Sequence, residues 1–422
     1  QNGTRTDAVV RAEYRPLKSG DKPGLREDWE LYGFGQGTLQ RSGNRDANNR
    51  LGVGGGYQVN ERLKLLAEVS DGNLGVGGRV GGDYRISDRS NVYLSYGMET
   101  ENPNVAWRGR QGTWISGASS RLSDEVRIFG ENRAVHGAGP QSLINAFGLD
   151  LSPNDRWTFG VKGEVGTVSD PLAGDLTRHA LGLSAAYRFQ NLKYSGNVER
   201  RDDDSSLSGK RTTWLVRNTM GYQATPAWRL LGKANWSTSS NTQGAFYDGD
   251  FHEYVAGAAY RPVDNDRWNT LIKYTNFQNV PSPGQLAPSG RVADYAQRSQ
   301  VFAIDTIYDL VPWLSVGAKY GYRFGELKAT KTDGDWFSSR ADLIVLRADF
   351  HWVREWDAVV EARQLRAQEA GDARSGFLVA AYRHLDKGVK AGIGYNFTNF
   401  SDDLTDLSYR SRGWFINVIG TM

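Results

Sequence analysis

Several kinds of residue and segment are scarce in this 422-residue chain, and each scarcity excludes a class of protein. Cysteine is absent and histidine occurs only five times, which excludes disulfides, thiolate metal sites and cysteine nucleophiles. No run approaches the roughly 20 consecutive apolar residues of a transmembrane helix, so a membrane-spanning role would fall to strands. The residues after Gln1 lack the positively charged start and the apolar core of a signal peptide. We therefore expect either a mature chain or a portion of a longer one.

Aromatic residues, by contrast, are frequent in a chain that is otherwise polar. Hydrophobic residues make up 39% and aromatic residues 12%, with 13 tryptophans and 20 tyrosines. This combination suits a barrel whose polar side chains line a wet interior. The net charge is only +3, with both signs interspersed and no basic stripe, which argues against nucleic acid as a partner.

The segment 141–169 shows the pattern that the rest of the chain repeats. Apolar side chains alternate with small or polar ones from Phe147 to Leu151 and again from Trp157 onward, the period of two that a strand imposes. Between them the Pro-Asn-Asp cluster at 153–155 is a turn signal. The segment therefore predicts a β-hairpin, with an aromatic ring at the turn edge, where membrane interfaces favour tryptophan and tyrosine.

This hairpin recurs along the chain: an aromatic residue closes one strand, and often a tryptophan opens the next. We count about 23 strands of roughly 10 to 14 residues, long enough to span a bilayer when tilted; the predicted spans include 107–121, 337–352 and 356–367. The prediction is an all-β protein, an antiparallel up-and-down transmembrane β-barrel of about 22 to 24 strands, with short periplasmic turns, longer external loops and one domain over residues 1–422. The predicted membrane-interface aromatics are Tyr57, Tyr84, Trp157, Tyr187, Tyr222, Trp228, Tyr260, Trp268, Trp313, Trp356 and Tyr382.

The two ends of the chain leave the strand count open. Run 7–15 reads as a descending strand without an ascending partner, although single-chain bacterial barrels normally have an even number of strands. Either this run lies outside a 22-stranded barrel, or a preceding strand belongs to an upstream segment. The final run, 406–422, descends to the periplasm.

Charged residues alternate with the apolar face on the predicted strands. Charges are costly in lipid, so they should face the barrel interior; the alternative is the solvated face of a soluble sandwich. Their mixed signs predict no preference for anions or cations. The predicted lumen-facing charges are Lys64, Glu68, Arg127, Glu131, Lys162, Glu164, Lys193, Glu199, Lys319, Arg323, Asp357, Glu361 and Arg363.

The sequence predicts no catalytic, cofactor or metal site. A barrel that acts as a hydrolase would need a histidine beside a carboxylate or a serine at its rim. We instead expect each of the five histidines to be a structural residue whose ring is hydrogen-bonded. The acidic runs 202–204 and 402–403 are either solvated or hold divalent cations that bridge lipopolysaccharide. Dense strand glycines, as at 52–56, indicate sharp curvature or close approach of another group to the inner wall.

The closing strand carries a resemblance to a known family. Trp414, Ile416 and Val418 alternate before Met422, and the strand resembles the C-terminal targeting signal of the Gram-negative outer-membrane β-barrel superfamily, although methionine replaces the usual terminal phenylalanine. The resemblance implies the outer membrane of a Gram-negative bacterium, with lipid, lipopolysaccharide and the barrel assembly machinery as partners. Residues 394–403 with this strand also resemble the C-terminal barrel of very large repeat-containing proteobacterial surface proteins.

Barrel size then guides the functional hypothesis. A barrel of 22 to 24 strands is roughly 45 to 50 Å across and would leak if empty, and barrels of this size are usually plugged. We expect a membrane anchor or conduit of a larger surface protein or assembly, not an enzyme, with a plug segment or partner protein in the lumen. The alternative is a free-standing porin for small hydrophilic solutes, narrowed by the loop 279–296; a third is an adhesin or receptor acting through its loops. Resemblance to TonB-dependent transporters extends only to barrel size.

Overall fold

The fold was determined from a computed structural model of the chain. It describes residues 5–14, 29–41, 46–102, 107–137, 141–170, 174–207, 209–244, 248–265, 267–280, 296–331, 334–353, 355–386, 389–398, 404 and 412–420. Within these ranges no helix is long and apolar enough to cross a membrane.

The described residues form 24 strands that belong to one sheet. Each strand pairs antiparallel with its neighbour along the chain, as an up-and-down order requires, except that β19 and β20 both pair with β18. The predicted all-β, up-and-down fold is therefore confirmed. The strands are β1 (Arg5–Tyr14), β2 (Trp29–Arg41), β3 (Arg50–Gln58), β4 (Leu63–Gly72), β5 (Gly77–Ser87), β6 (Ser90–Asn102), β7 (Trp107–Arg121), β8 (Val126–Gly137), β9 (Gln141–Asn154), β10 (Trp157–Asp170), β11 (Gly174–Phe189), β12 (Leu192–Ser205), β13 (Gly209–Gln223), β14 (Trp228–Asn241), β15 (Gly249–Tyr260), β16 (Trp268–Val280), β17 (Ala296–Val311), β18 (Leu314–Lys328), β19 (Phe337–Ser338), β20 (Ala341–Val353), β21 (Trp356–Ala367), β22 (Asp372–Asp386), β23 (Val389–Asn396) and β24 (Gly413–Gly420).

β19 and β20 together make one spanning run. β19 pairs with β18 at Glu326 and Leu327, and β20 resumes two residues later with Ala341 opposite Arg323 of the same strand. The 24 strands therefore correspond to 23 spanning runs, and the interrupted run occupies the range that the alternation of residues predicts, 337–352.

The two faces of the sheet differ as those of a membrane barrel do. On β18 the apolar side chains of Val316, Tyr320 and Phe324 are 39%, 42% and 48% exposed, whereas Ser315 and Arg323 on the other face are 5% and 1% exposed. A soluble protein would place these side chains the other way round. The apolar face is therefore the outer, lipid-facing one, and the concave, polar face lines the interior.

Connections at the two ends of the strands differ in length. At one end the chain turns within two residues between β9 and β10 and between β11 and β12. At the other end the connections after β14, β16 and β23 are longer, which is the asymmetry of periplasmic turns and external loops. Aromatic rings pack at the short-turn end, with Trp157 and Tyr187 at 4.6 Å and Trp228 and Tyr260 at 4.7 Å between ring centroids.

The first and last strands each have a single partner in the described part of the chain. β1 pairs with β2 over ten positions, and β24 pairs with β23 over eight. No contact between β1 and β24 occurs among the described residues.

Candidate functional site: the inner wall

The predicted lumen charges lie on the face of the sheet opposite the exposed apolar side chains, and their role as lumen charges stays a prediction. On each strand they alternate with apolar side chains of the outer face, as Lys162 and Glu164 do with Val161 and Val165, which are 44% and 39% exposed. The other members of the set follow the same alternation: Lys64, Glu68, Arg127, Glu131, Lys193, Glu199, Lys319, Arg323, Asp357, Glu361 and Arg363.

Aromatic side chains lie flat across glycines of neighbouring strands on this wall. Tyr32 stands opposite Gly54, and a Cβ on that glycine would meet the Tyr32 ring at 2.4 Å. Tyr93 lies in the same way across Gly117, again at 2.4 Å. The close approach that the dense glycines predict therefore comes, at these positions, from the chain's own aromatic rings.

Each of these tyrosines is held by a carboxylate of the predicted set. The Tyr32 hydroxyl donates to Glu68 at 2.5 Å and the Tyr93 hydroxyl donates to Glu131 at 2.7 Å. The hydrogen bonds fix both the ring and the carboxylate, because each group satisfies the other on a wall that is only partly wet. Glu68 and Glu131 are thus structural acceptors as well as lumen charges.

A second cluster surrounds Asp203 near the external end of β12. Asp203 is 3% exposed, and it accepts hydrogen bonds from Arg178 at 2.8 and 3.3 Å and from Arg211 at 3.1 Å. The acidic run 202–204 lies within β12, and its central residue has arginine partners. This pairing supplies its counter-charge without a divalent cation; the other acidic run, 402–403, lies outside the described residues.

A third cluster gathers around Asp357 near the short-turn rim. Asp357 is 5% exposed and accepts hydrogen bonds from His351 Nδ1 at 2.9 Å, His384 Nε2 at 3.0 Å and Lys390 Nζ at 2.9 Å. Asp357 was predictable as a lumen charge, but its partners were not, because they come from three other strands that only the pairing register brings together. One contact had a signal in the sequence: His351 and Asp357 stand on either side of one tight turn and were therefore expected to lie close together.

Apolar clusters form the remainder of this part of the wall. The first apolar cluster consists of Val301, Ala341, Leu343, Val345 and Leu404, of which Leu343 is 0% and Leu404 7% exposed. Leu404 comes from the connection between β23 and β24, and its Cδ1 lies 3.1 Å from where a Cβ on Gly321 would stand. A side chain from a connection therefore lies against the inner wall and buries it.

The second apolar cluster corrects one prediction. Tyr382, predicted at the membrane interface, is 8% exposed and packs with Val359 and Ala380 on the inner face. Phe377 and Val379 of the same strand are 56% and 46% exposed on the outer face, so the alternation of β22 turns residue 382 inward. The interface prediction for Tyr382 is therefore wrong.

The other predicted interface aromatics lie on β-strand ends or adjoining turns at the short-turn rim and are partly or largely exposed. Exposure is 54% at Trp313 and 47% at Trp356. In the predicted targeting strand, Trp414, Ile416 and Val418 are 74%, 80% and 65% exposed, and Met422 lies outside the described residues, as do most residues of the loop 279–296. The remaining aromatics of this set are Tyr57, Tyr84, Trp157, Tyr187, Tyr222, Trp228, Tyr260 and Trp268.

Arg323 is a buried member of the charge set for which the described part of the chain supplies no counter-charge. It is 1% exposed, and neither its Nε nor its Nη1 has a hydrogen-bond partner among the described residues. Its neighbours across the strands on either side are Val301 and Ala341. Burying a charge without a counter-charge is costly.

Among the described residues, no group of three or more histidine, aspartate and glutamate side chains has an arrangement that could hold a metal ion. The geometry of the wall is therefore that of a set of ion pairs, tyrosine–carboxylate bonds and apolar clusters.

Comparisons with known proteins give structural likeness without sequence likeness. No family model and no curated protein matches the chain. The siderophore receptor PirA from Pseudomonas aeruginosa is 11% identical, with 89% of this chain and 76% of that chain covered and a TM-score of 0.49. The ferric preacinetobactin receptor BauA from Acinetobacter baumannii is 10% identical, with 99% and 78% covered and a TM-score of 0.46. Likenesses at this level give no basis for what this chain binds.

The chain's own features define its class. One antiparallel up-and-down sheet with a lipid-facing apolar surface and a polar inner wall is the architecture of a transmembrane β-barrel of the outer-membrane type. This architecture agrees with the predicted location in the outer membrane of a Gram-negative bacterium.

Proposed function

We propose that this barrel is the membrane anchor or conduit of a larger surface protein or assembly, and that its lumen holds polypeptide from an upstream segment or a partner. The observation that carries the proposal is the first apolar cluster, where Leu404 lies against an apolar part of the inner wall. Lipid and lipopolysaccharide surround the barrel in this proposal, and the barrel assembly machinery inserts it.

A diffusion pore has a different wall. The interior of a porin is polar because it is in contact with water, whereas Leu343, Val345 and Val359 here are 0%, 5% and 7% exposed. Leu404 already covers the first apolar cluster within this chain; this is the kind of contact that a polypeptide in the lumen makes, and it contributes roughly 25 cal/mol for each Å² removed from water. The orphan Arg323 next to this cluster would in addition bind a carboxylate of the same polypeptide.

The alternative function, a porin for small hydrophilic solutes, is favoured by another sector of the wall. Lys162 on β10 is exposed on the inner face, as it would be beside a water-filled channel. The anchor or conduit function therefore depends on the apolar part of the inner wall, around Leu343, whereas the porin function depends on the charged part, around Lys162.

Single-channel conductance in planar bilayers separates the two. We expect the 422-residue chain to conduct and the full-length gene product to stay closed, because the longer product brings its own lumen polypeptide. Stable openings of equal size from both would contradict the proposal and favour the porin.

A matched pair of variants locates the occupant. Leu343→Asp places a charge in the first apolar cluster and should open the full-length product, whereas Lys162→Ala in the charged sector should leave it closed. If Lys162→Ala opens the full-length product and Leu343→Asp does not, the occupant does not lie on the apolar sector. Heat-modifiable mobility on gels verifies that both variants fold.

A further inference from the structure

The inner face of strands β11 to β14 is more basic than the mixed signs of the whole sequence predict. Its basic side chains are Arg178, Arg188, Lys193, Arg201, Arg211, Arg217, Arg229 and Lys233. In the described ranges its only acidic side chains are Glu199 and Asp203. Asp203 pairs with Arg178 and Arg211, and Glu199 pairs with Arg201 at 2.8 Å. Both acids of this face are therefore already matched by arginines.

Three of the remaining cations, Arg188, Lys193 and Arg229, form what we call the basic cluster at the short-turn end of this face. Arg188 on β11 stands directly opposite Lys193 on β12, and Lys193 stands directly opposite Gly221 on β13. The guanidinium of Arg229 on β14 reaches over Gly221, since a Cβ on this glycine would lie 3.4 Å from Arg229 Nη2. All three cations are exposed on the inner face, and no carboxylate of the described residues pairs with them.

This arrangement costs stability unless an anion is present. Like charges directly opposite each other across two strands repel, and here the third cation extends over the neighbouring strand. Gly221 leaves the floor between Lys193 and Arg229 without a side chain, so a ligand can approach the backbone there. Ammonium and guanidinium groups bind phosphate and carboxylate oxygens through charge-assisted hydrogen bonds, and arginine often makes two at once.

The basic cluster adjoins a cavity that is large enough for such a ligand. The cavity has a volume of about 840 Å³, and Arg229, Arg261 and Asp305 contribute to its lining. Asp305, its only acidic lining residue, lies on β17, three strands away from Arg229. Pro226 and Pro262 of two short turns also line it, which places it at the short-turn mouth of the barrel. Because Arg229 belongs to both the cluster and the cavity, the two form one continuous site.

We infer that the basic cluster and the adjoining cavity bind a small soluble anion that carries phosphate or carboxylate groups, at the short-turn mouth of the lumen. The three cationic groups extend over two strand spacings, roughly 10 Å, so the ligand carries more than one negative charge. The inference is independent of the lumen polypeptide proposed above, because none of the residues of this site belongs to the first apolar cluster.

Calorimetric titration of the purified 422-residue protein with inorganic pyrophosphate, in detergent, tests the inference. We expect saturable binding. Lys193→Gln combined with Arg229→Gln should weaken it by roughly a hundredfold, because each hydrogen bond from a charged group is worth about a factor of ten or more in affinity. The matched control is Arg127→Gln, which removes an exposed cation of the inner face that already stands opposite Asp150, and it should leave the affinity unchanged.

A pair of substitutions at Gly221 makes the test independent of the double variant. Gly221→Ala adds a methyl group at ordinary contact distance from Arg229 and should retain binding. Gly221→Glu places a carboxylate between Lys193 and Arg229 and should abolish it. Heat-modifiable mobility verifies that each variant folds.

Three results would overturn the inference: no binding by the unsubstituted protein, an unchanged affinity in the double variant, or full binding by Gly221→Glu. Dihexanoyl phosphatidylglycerol, added below its critical micelle concentration, distinguishes a lipid headgroup from a soluble anion as the source of the phosphate. We expect it to compete poorly with pyrophosphate. Competition at equal or higher affinity would assign the site to lipid headgroups and overturn the soluble source.

Discussion

Replacing Arg323 by methionine should stabilise the 422-residue chain. Arg323 is 1% exposed, and two of its nitrogens have no partner among the residues that the structure describes, so within these residues folding removes a charge from water without supplying a counter-charge. Methionine keeps much of the side-chain volume, and its flexible thioether adapts to Val301 and Ala341. Exchanging buried ionic groups for well-packed apolar ones stabilises proteins by about 1–4 kcal/mol.

Urea unfolding of the barrel in lipid vesicles, followed by tryptophan fluorescence, measures this change. A gain of about 1.4 kcal/mol corresponds to a tenfold change in the folding equilibrium constant. Arg323→Lys keeps the buried charge and should give no gain. Arg127→Met, at an exposed position of the inner face, should change stability by no more than about 0.5 kcal/mol.

We expect Arg323→Met to raise the free energy of unfolding of this chain. A lower free energy of unfolding for Arg323→Met, with no such loss for Arg127→Met, would contradict this expectation. That outcome would mean that Arg323 has a stabilising partner here. In the full-length product the sign should reverse, because an acidic group of the lumen polypeptide would lose its partner.

Three further predictions concern other parts of the barrel. The hydrogen bond from Arg340 lowers the pKa of the exposed Glu369 carboxyl, so this ion pair persists at neutral pH and is lost as the pH falls through the lowered pKa. The Arg340 amide donates to Glu369 at 2.6 Å, so its protection from hydrogen exchange, measured relative to the intrinsic rate at each pH, should fall there and stay constant above it. Val161→Lys puts a charge on the lipid face and should cost about 2–4 kcal/mol in urea unfolding if the position is near the midplane; a neutral effect would mean that this face does not contact lipid. Gly117→Val should displace the ring that lies across it and raise the accessibility of Glu131 to carbodiimide, and unchanged labelling would contradict the role of this glycine.

Local alternation made the spanning runs predictable from the sequence. The predicted spans 107–121 and 356–367 coincide with β7 and β21, because a strand with one face in lipid and one in water repeats every two residues. The last strand is Gly413–Gly420, shorter at its start than the predicted 406–422, and residues 405–411 lie outside the described ranges.

Contacts that depend on the pairing register, or on a connection that lies against the inner wall, were not predictable from the sequence. Asp357, His384 and Lys390 meet because β21, β22 and β23 pair in a particular register, which a single sequence does not specify. Tyr382 has the aromatic character of a rim residue, yet its position in the alternation turns it inward. Leu343 and Leu404, which pack together, are 61 positions apart in the sequence. The alternation of residues along a strand contains no information about such a distant contact.

The burial of Leu343 beside Leu404 has a consequence for access to the lumen. Leu404 belongs to the connection between β23 and β24, at the end of the sheet opposite the short turns. Displacing that connection from outside would uncover Leu343 together with the cluster that adjoins Arg323. An event at the external rim would therefore change both the apolar area and the charge that the inner wall presents.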